Sequence, residues 1–109
     1  FKSLGGFNKE IFMYIEDMEL CFRAKTKGFA TYFFPSIMLF HLERGSSDKA
    51  FAILNIYKGL LIFYKKHKPK WQYLIVKFML KTKSLVLVTY GKIMNNKYLN
   101  DTYSETLKI

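Results

Sequence analysis

The spacing of hydrophobic and polar positions predicts helices near both ends and an extended stretch between them. A helix opens at Glu16-Asp17, where an Asp near the N-terminus can take up free backbone amides, and stops at Gly28 after Lys25 and Lys27. Leu20, Cys21 and Ala24 are its expected inward positions. Phe29-Ala30-Thr31-Tyr32-Phe33-Phe34 then reads as a short buried strand closed by Pro35. Ile37 to Phe40 reads as a second strand that delivers His41 to a strand-to-loop junction. Glu43-Arg44-Gly45-Ser46-Ser47 forms a loop whose serines can cap a helix from about Asp48 to Lys66, with Phe51, Leu54, Tyr57 or Lys58, Leu61 and Tyr64 at helical spacing.

From Trp71 to about Met94 the chain is apolar but interrupted by lysines. Lys70, Lys77, Lys81 and Lys92 are separated by 7, 4 and 11 residues, which at about 100° per residue aligns them in a narrow stripe on one helix face. Lys83 falls outside that stripe. Two readings stand: a pair of helices packed on the rest of the domain with lysines in water, or a helix lying in a membrane plane with its lysines on anionic headgroups. Asn95-Asn96 predicts a turn, and Leu99, Tyr103 and Leu107 fit a last short helix. No internal repeat or low-complexity segment interrupts this order.

Charge sharpens the division. The 109 residues carry a net charge of +10. Residues 1–56 hold seven basic against six acidic side chains, whereas residues 57–109 hold eleven lysines against Asp101 and Glu105. The second half is therefore basic, suited to an anionic membrane surface, an acidic protein or nucleic acid. Nucleic acid is the weakest of these, because the aromatic residues occupy expected core positions and no nucleic-acid-binding motif is present. Half the residues are hydrophobic and 18% aromatic, enough for one folded domain and too short for a multidomain enzyme. The longest run without Asp, Glu, Lys or Arg is Gly28 to Leu42, 15 residues broken by Pro35, too short to span a bilayer. Cys21 is the one cysteine, so no internal disulfide forms and a reducing compartment is expected. The start at Phe1, without an initiator methionine or a signal peptide, leads to the expectation of a piece of a longer chain.

Taken together and in order, Leu4-Gly5-Gly6-Phe7, the run from Phe12 to Arg23 with Glu16-Asp17-Met18-Glu19 at its centre, Gly28-Phe29, Tyr32 to Pro35 and His41 to Ser47 resemble the C-terminal half of a family 2 glycosyltransferase. The resemblance is to the rhamnosyltransferase-like branch and covers roughly residues 3–68, with a looser echo at Asn96 to Leu99. It implies an α/β fold, the C-terminal part of a Rossmann-like GT-A domain. Residues 1–68 would form the acceptor and catalytic half, with the nucleotide-binding half absent, and residues 69–109 a basic amphipathic helical segment.

The same resemblance implies a chemistry. Asp17 would be the catalytic base, taking the proton from an acceptor hydroxyl as that oxygen attacks the anomeric carbon of a nucleotide-sugar; Glu16 would orient the acceptor. Attack opposite the nucleotide inverts the anomeric configuration. His41, 24 positions after Asp17, matches the histidine that joins a divalent metal, magnesium or manganese, whose remaining ligands come from the diphosphate and an upstream Asp-x-Asp. No Asp-x-Asp occurs in these residues. By position, Arg44, Ser46 and Ser47 would hold the leaving diphosphate, and Gly5 and Gly6 would allow close backbone approach in the sugar pocket. Glu19 stands where the family frequently has Asp.

Each of these residues also has a plainer reading. Asp17 can be a helix cap, His41 a structural histidine at a strand end, Gly5-Gly6 a turn, and Arg23 the ion-pair partner of Glu19 four positions earlier. Cys21 reads as core packing and His67 as a solvated surface residue. Two functions follow. The first is a fragment of an inverting, metal-dependent transferase acting on a nucleotide-sugar and a glycan or polyprenyl-linked acceptor, in cell-wall or polysaccharide assembly, inactive on its own. The second is an inactive remnant whose lysines, Lys70, Lys77, Lys81 and Lys92, face an anionic membrane. Either places the chain in the cytoplasm or peripherally on the inner face of the cell membrane.

Overall fold

The computed structural model describes residues 1–38, 40 and 48–109. Four α-helices account for most of them: α1 (Glu16–Thr26), α2 (Lys49–His67), α3 (Lys70–Ile93) and α4 (Lys97–Leu107), preceded by one 3-10 turn at Lys2–Leu4. The helix ends follow local chemistry. After α1, Gly28 adopts a left-handed φ of 82°. Its amide donates to the Lys25 carbonyl and that of Phe29 to the Ala24 carbonyl, both at 3.0 Å, so two of the helix's last free carbonyls are satisfied. Lys68 is extended ahead of Pro69, which disfavours a helical predecessor, so α2 ends there and α3 begins with Pro69 at its N-cap. Asn95 takes a positive φ of 50° in the next turn, and the side chain of Asn96 accepts the Leu99 amide at the start of α4.

The expected α/β architecture is not formed: the regular structure among the described residues is all helical, with no strand. Phe29 to Phe34, Ile37, Met38 and Phe40 lie outside regular structure and expose their side chains, Phe33 at 88%. A strand is held by inter-strand hydrogen bonds, and among the described residues nothing lies alongside to make them. Aromatic content supplied the propensity for a strand, and the absent ladder withheld the structure.

Two apolar clusters hold the helices together. In one, Ile11 and Ile15, just before α1, bury against Phe63 of α2, with Phe22, Ile56 and Leu60 around them. Phe22 and Phe63 meet edge to face with ring centroids 5.2 Å apart, a favourable aromatic geometry. In the other, Tyr57 of α2, Val88 of α3 and Tyr103 of α4 pack with Leu80, Leu87, Leu99 and Leu107. Helix α2 thus contributes to both, through Phe63 and Tyr57, and crosses from the acidic-basic first part to the lysine-rich second. A glycine permits one close approach: a Cβ at Gly59 would stand 2.9 Å from Cβ and Cγ1 of Ile15.

Burial corrects several expected faces. Cys21 is exposed rather than packed. The inward side of α1 is Glu19, Phe22 and Arg23, because Phe22 must reach Phe63 and Glu19 must reach His67. On α2 the buried positions are Tyr57, Gly59 and Phe63, while Phe51 stays exposed. The segment 70–93 is one continuous helix packed along α4, and Leu99, Tyr103 and Leu107 face it as their spacing predicts.

Candidate functional site

The N-terminus of α1 gathers three carboxylates, Glu16, Asp17 and Glu19, in its first turn. Free amides and the positive end of the helix dipole favour negative charge there. Asp17 is exposed, and its Oδ1 accepts the Met18 amide at 2.7 Å, so it occupies one of the first-turn donors while keeping its other oxygen open to solvent. The N-cap position itself is Ile15, whose side chain caps nothing. Glu16 is half-buried, and its Oε2 is buried without a hydrogen-bond partner among the described residues. Two positions earlier Tyr14 has a positive φ of 79°, an uncommon conformation for a residue with a bulky side chain.

Glu19 is different. It is 0% exposed, and Arg23 and His67 close on it. Arg23 Nε donates to both of its oxygens at 2.9 Å and Nη2 lies 2.8 Å from Oε2. His67 Nε2, from the last residue of α2, donates to Oε1 at 2.8 Å. Burial pushes the Glu19 carboxyl up, but the hydrogen bonds and charges of Arg23 and His67 outweigh it and hold the group below the ordinary carboxylate value. The same arginine reaches on: Nη1 donates to the Leu4 carbonyl and Nη2 to the Gly6 carbonyl, the latter at 2.6 Å. One guanidinium therefore ties the glycine turn to α1, and one carboxylate ties α1 to α2. Lys27 adds a bond of 2.8 Å to the Ser3 carbonyl.

Gly5 and Gly6 both have left-handed backbones, φ 79° and 72°, so the pair forms a tight turn that only glycine adopts without strain. Gly5 also lines an open cleft of about 440 Å³ with Asn8, Glu19, Arg23 and Lys66. Of the expected site, then, Glu16, Asp17, Gly5 and Gly6 are gathered on one helix and the turn bound to it. His41, Arg44, Ser46 and Ser47 lie outside the described residues. Among the described residues no group of three or more His, Cys, Asp or Glu side chains could hold a metal ion, so those residues alone do not form the expected metal site.

The lysine stripe does fall on a single helix, α3. Lys70, Lys81 and Lys92 are exposed there, whereas Lys77 is half-buried on the side turned toward the other helices. No helix among the described residues is long and apolar enough to cross a membrane.

Sequence reasoning missed the centre of this arrangement. His67, expected in water, is only 14% exposed in its side chain and closes the Glu19 cluster. Its ring also packs at a tilt against Phe22 and Phe63, with ring centroids 5.1 and 5.3 Å away. The Glu19–Arg23 pair was visible as an i, i+4 spacing. The third member, 48 positions from Glu19, carried no local signal.

No family model, no curated protein and no solved structure matches the chain.

Proposed function

We propose that these residues supply the acceptor side of an inverting glycosyl transfer, with Asp17 as general base. The observation that carries the reading is Asp17 itself: an exposed carboxylate in the first turn of a helix whose opposite face is clamped by Glu19, Arg23 and His67. A base must be ionised, reachable and rigidly held. Asp17 is exposed to an incoming acceptor, and the buried cluster holds its helix against α2 and the Gly5-Gly6 turn. The likeness of Glu16 to Glu19 and its neighbours to the family 2 glycosyltransferase motif gives this base its substrate class.

In the proposed reaction the acceptor hydroxyl gives its proton to Asp17 as its oxygen bonds to the anomeric carbon of a nucleotide-sugar. The bond from that carbon to the diphosphate oxygen breaks, and the diphosphate leaves with the electron pair. Glu16 orients the acceptor, and the glycine turn lines the sugar side. The leaving diphosphate requires a counter-charge and hydrogen-bond donors, assigned in this reading to Arg44 and to the hydroxyls of Ser46 and Ser47 respectively. A divalent metal, magnesium or manganese, belongs to the same proposal, bound by His41 and by carboxylates of an Asp-x-Asp that these 109 residues lack. The acceptor class is a glycan or polyprenyl-linked sugar, handled on the cytoplasmic side of a membrane.

The test is Asp17→Asn in the complete gene product that carries these residues. Transfer is expected to fall by roughly 10²–10⁴-fold, the usual contribution of a general base, while nucleotide-sugar binding persists. Undiminished turnover by that variant would end the assignment.

A further inference from the structure

The exposed side of α3 is apolar, and its charges stand at the edges. Taking about 100° per residue from Lys70, the exposed residues Leu74, Phe78, Leu85, Ile75, Val86 and Ile93 cover an arc from about 40° to about 160°. Trp71, near the start of the helix, and Tyr90, near its end, lie within or beside that arc. Phe78 is 72% exposed and Trp71 60%. Lys70, Lys81 and Lys92 border the arc on one side and Lys83, at about 220°, on the other; all four are exposed. The lysine stripe is thus a margin of the outer face and not its centre.

Two further observations say what the face meets. The polar residues inside the arc are Thr82 and Thr89, and both hydroxyls are already bonded within the helix, to the carbonyls of Phe78 and Leu85 at 2.9 Å. Neither hydroxyl needs water, so these two threonines can leave water without orphaning a donor. Neither α2 nor α3 contains an Asp or Glu. A second copy docked on this face would set lysine margins against lysine margins with no carboxylate from either helix to answer them. Phosphate groups at the level of the margins, with acyl chains beneath the arc, satisfy both at once.

We infer that α3 lies in the plane of an anionic bilayer, with its Trp71–Ile93 face in the upper acyl region and Lys70, Lys81, Lys83 and Lys92 on lipid phosphates. The helix is about 36 Å long at 1.5 Å per residue, and its lysines bar it from crossing. This arrangement stands apart from the glycosyl-transfer reading, and its test reads no activity.

Trp71 is the one tryptophan of the chain and stands on the face in question, so its emission reports directly. The 109-residue chain is titrated with vesicles of phosphatidylcholine alone and of phosphatidylcholine with phosphatidylglycerol, at low and high salt. The expected result is a blue shift on the anionic vesicles that weakens with salt, and quenching by lipids brominated on the acyl chain. Phe78→Glu and Val86→Glu should each reduce partitioning by more than tenfold with unchanged helix content. Lys81→Ala with Lys92→Ala should reduce it by roughly fivefold per lysine. Emission that is unmoved by anionic vesicles overturns the inference, as does a blue shift that follows protein concentration instead of lipid, which would assign the face to a second copy. A shift without acyl-chain quenching also overturns it, because the face would then remain above the hydrocarbon.

Discussion

Among the described residues, two clusters of buried polar side chains are built in opposite ways. Between the glycine turn, α1 and α2 the chain buries charge: Glu19 with Arg23 and His67. Between α3 and α4 it buries neutral hydroxyls. Ser84, 0% exposed, lies 2.7 Å from Thr106 Oγ1; each hydroxyl has one proton, so one donates to the other while the acceptor donates to a carbonyl of its own helix, that of Leu80 for Ser84 or of Tyr103 for Thr106. The hydroxyl pair adds one bond between helices that already share a long apolar seam. The ionic cluster joins α1 to α2 beside the Ile11–Ile15–Phe63 contact, the Phe22–Phe63 ring pair and the Glu10–Lys66 ion pair. A buried charge is costly unless fully partnered, whereas a hydroxyl with a carbonyl of its own helix survives the loss of its neighbour.

The difference can be broken from the ionic side first. Glu19→Ala leaves Arg23 and His67 without their carboxylate, and the expected loss of folding stability is about 3–5 kcal/mol, read by urea unfolding. Protection of the Leu4 to Gly6 amides and of α1 should fall more than that of α4 in hydrogen exchange. A loss under about 1 kcal/mol would mean that the apolar contact of Phe63 alone holds α1 in place.

Acid sharpens the contrast. The folded pKa of Glu19 lies below its ordinary value of 4.5, so the unfolded chain takes up this proton first as pH falls. The contribution of Glu19 is complete above that ordinary value and is lost as pH drops through the lowered one. The stability difference between the natural chain and Glu19→Gln should therefore shrink on acidification below pH 4.5. The corresponding difference for Ser84→Ala should be flat over the same range. A Glu19→Gln difference that does not change with pH would contradict a charged Glu19 in the folded state.

The smallest effect belongs to the hydroxyl pair. Ser84→Ala removes one interhelical bond while Thr106 keeps its bond to the Tyr103 carbonyl, so about 1 kcal/mol is expected, again from urea unfolding. A cost matching that of Glu19→Ala would erase the distinction between the two clusters.

How much of this was legible beforehand depends on distance along the chain. Gly28 and Asn95-Asn96 announced helix ends because each acts on the backbone within a few residues. The Leu99, Tyr103 and Leu107 face and the alignment of Lys70, Lys81 and Lys92 were legible for the same reason, since helical periodicity is local. The strands at Phe29 to Phe34 and Ile37 to Phe40 were misread because a strand requires a neighbour, and among the described residues none is present. Of the candidate site, Asp17 and Glu16 could be placed at a helix start and Gly5-Gly6 in a turn. Arg23 could be paired with Glu19 but not with the carbonyls of Leu4 and Gly6.

By itself, then, the sequence determined the helices, their ends, the charge asymmetry and the carboxylates at the head of α1, all of which follow from interactions within about one or two helical turns. Tertiary structure alone decided that Glu19 turns inward and Cys21 outward, that His67 leaves water to meet a carboxylate 48 positions away, and that the lysines of α3 edge an apolar face. Those outcomes depend on which helices meet, and the free energy that selects them comes from burying Phe22, Phe63, Tyr57, Val88 and Tyr103 against partners distant in sequence.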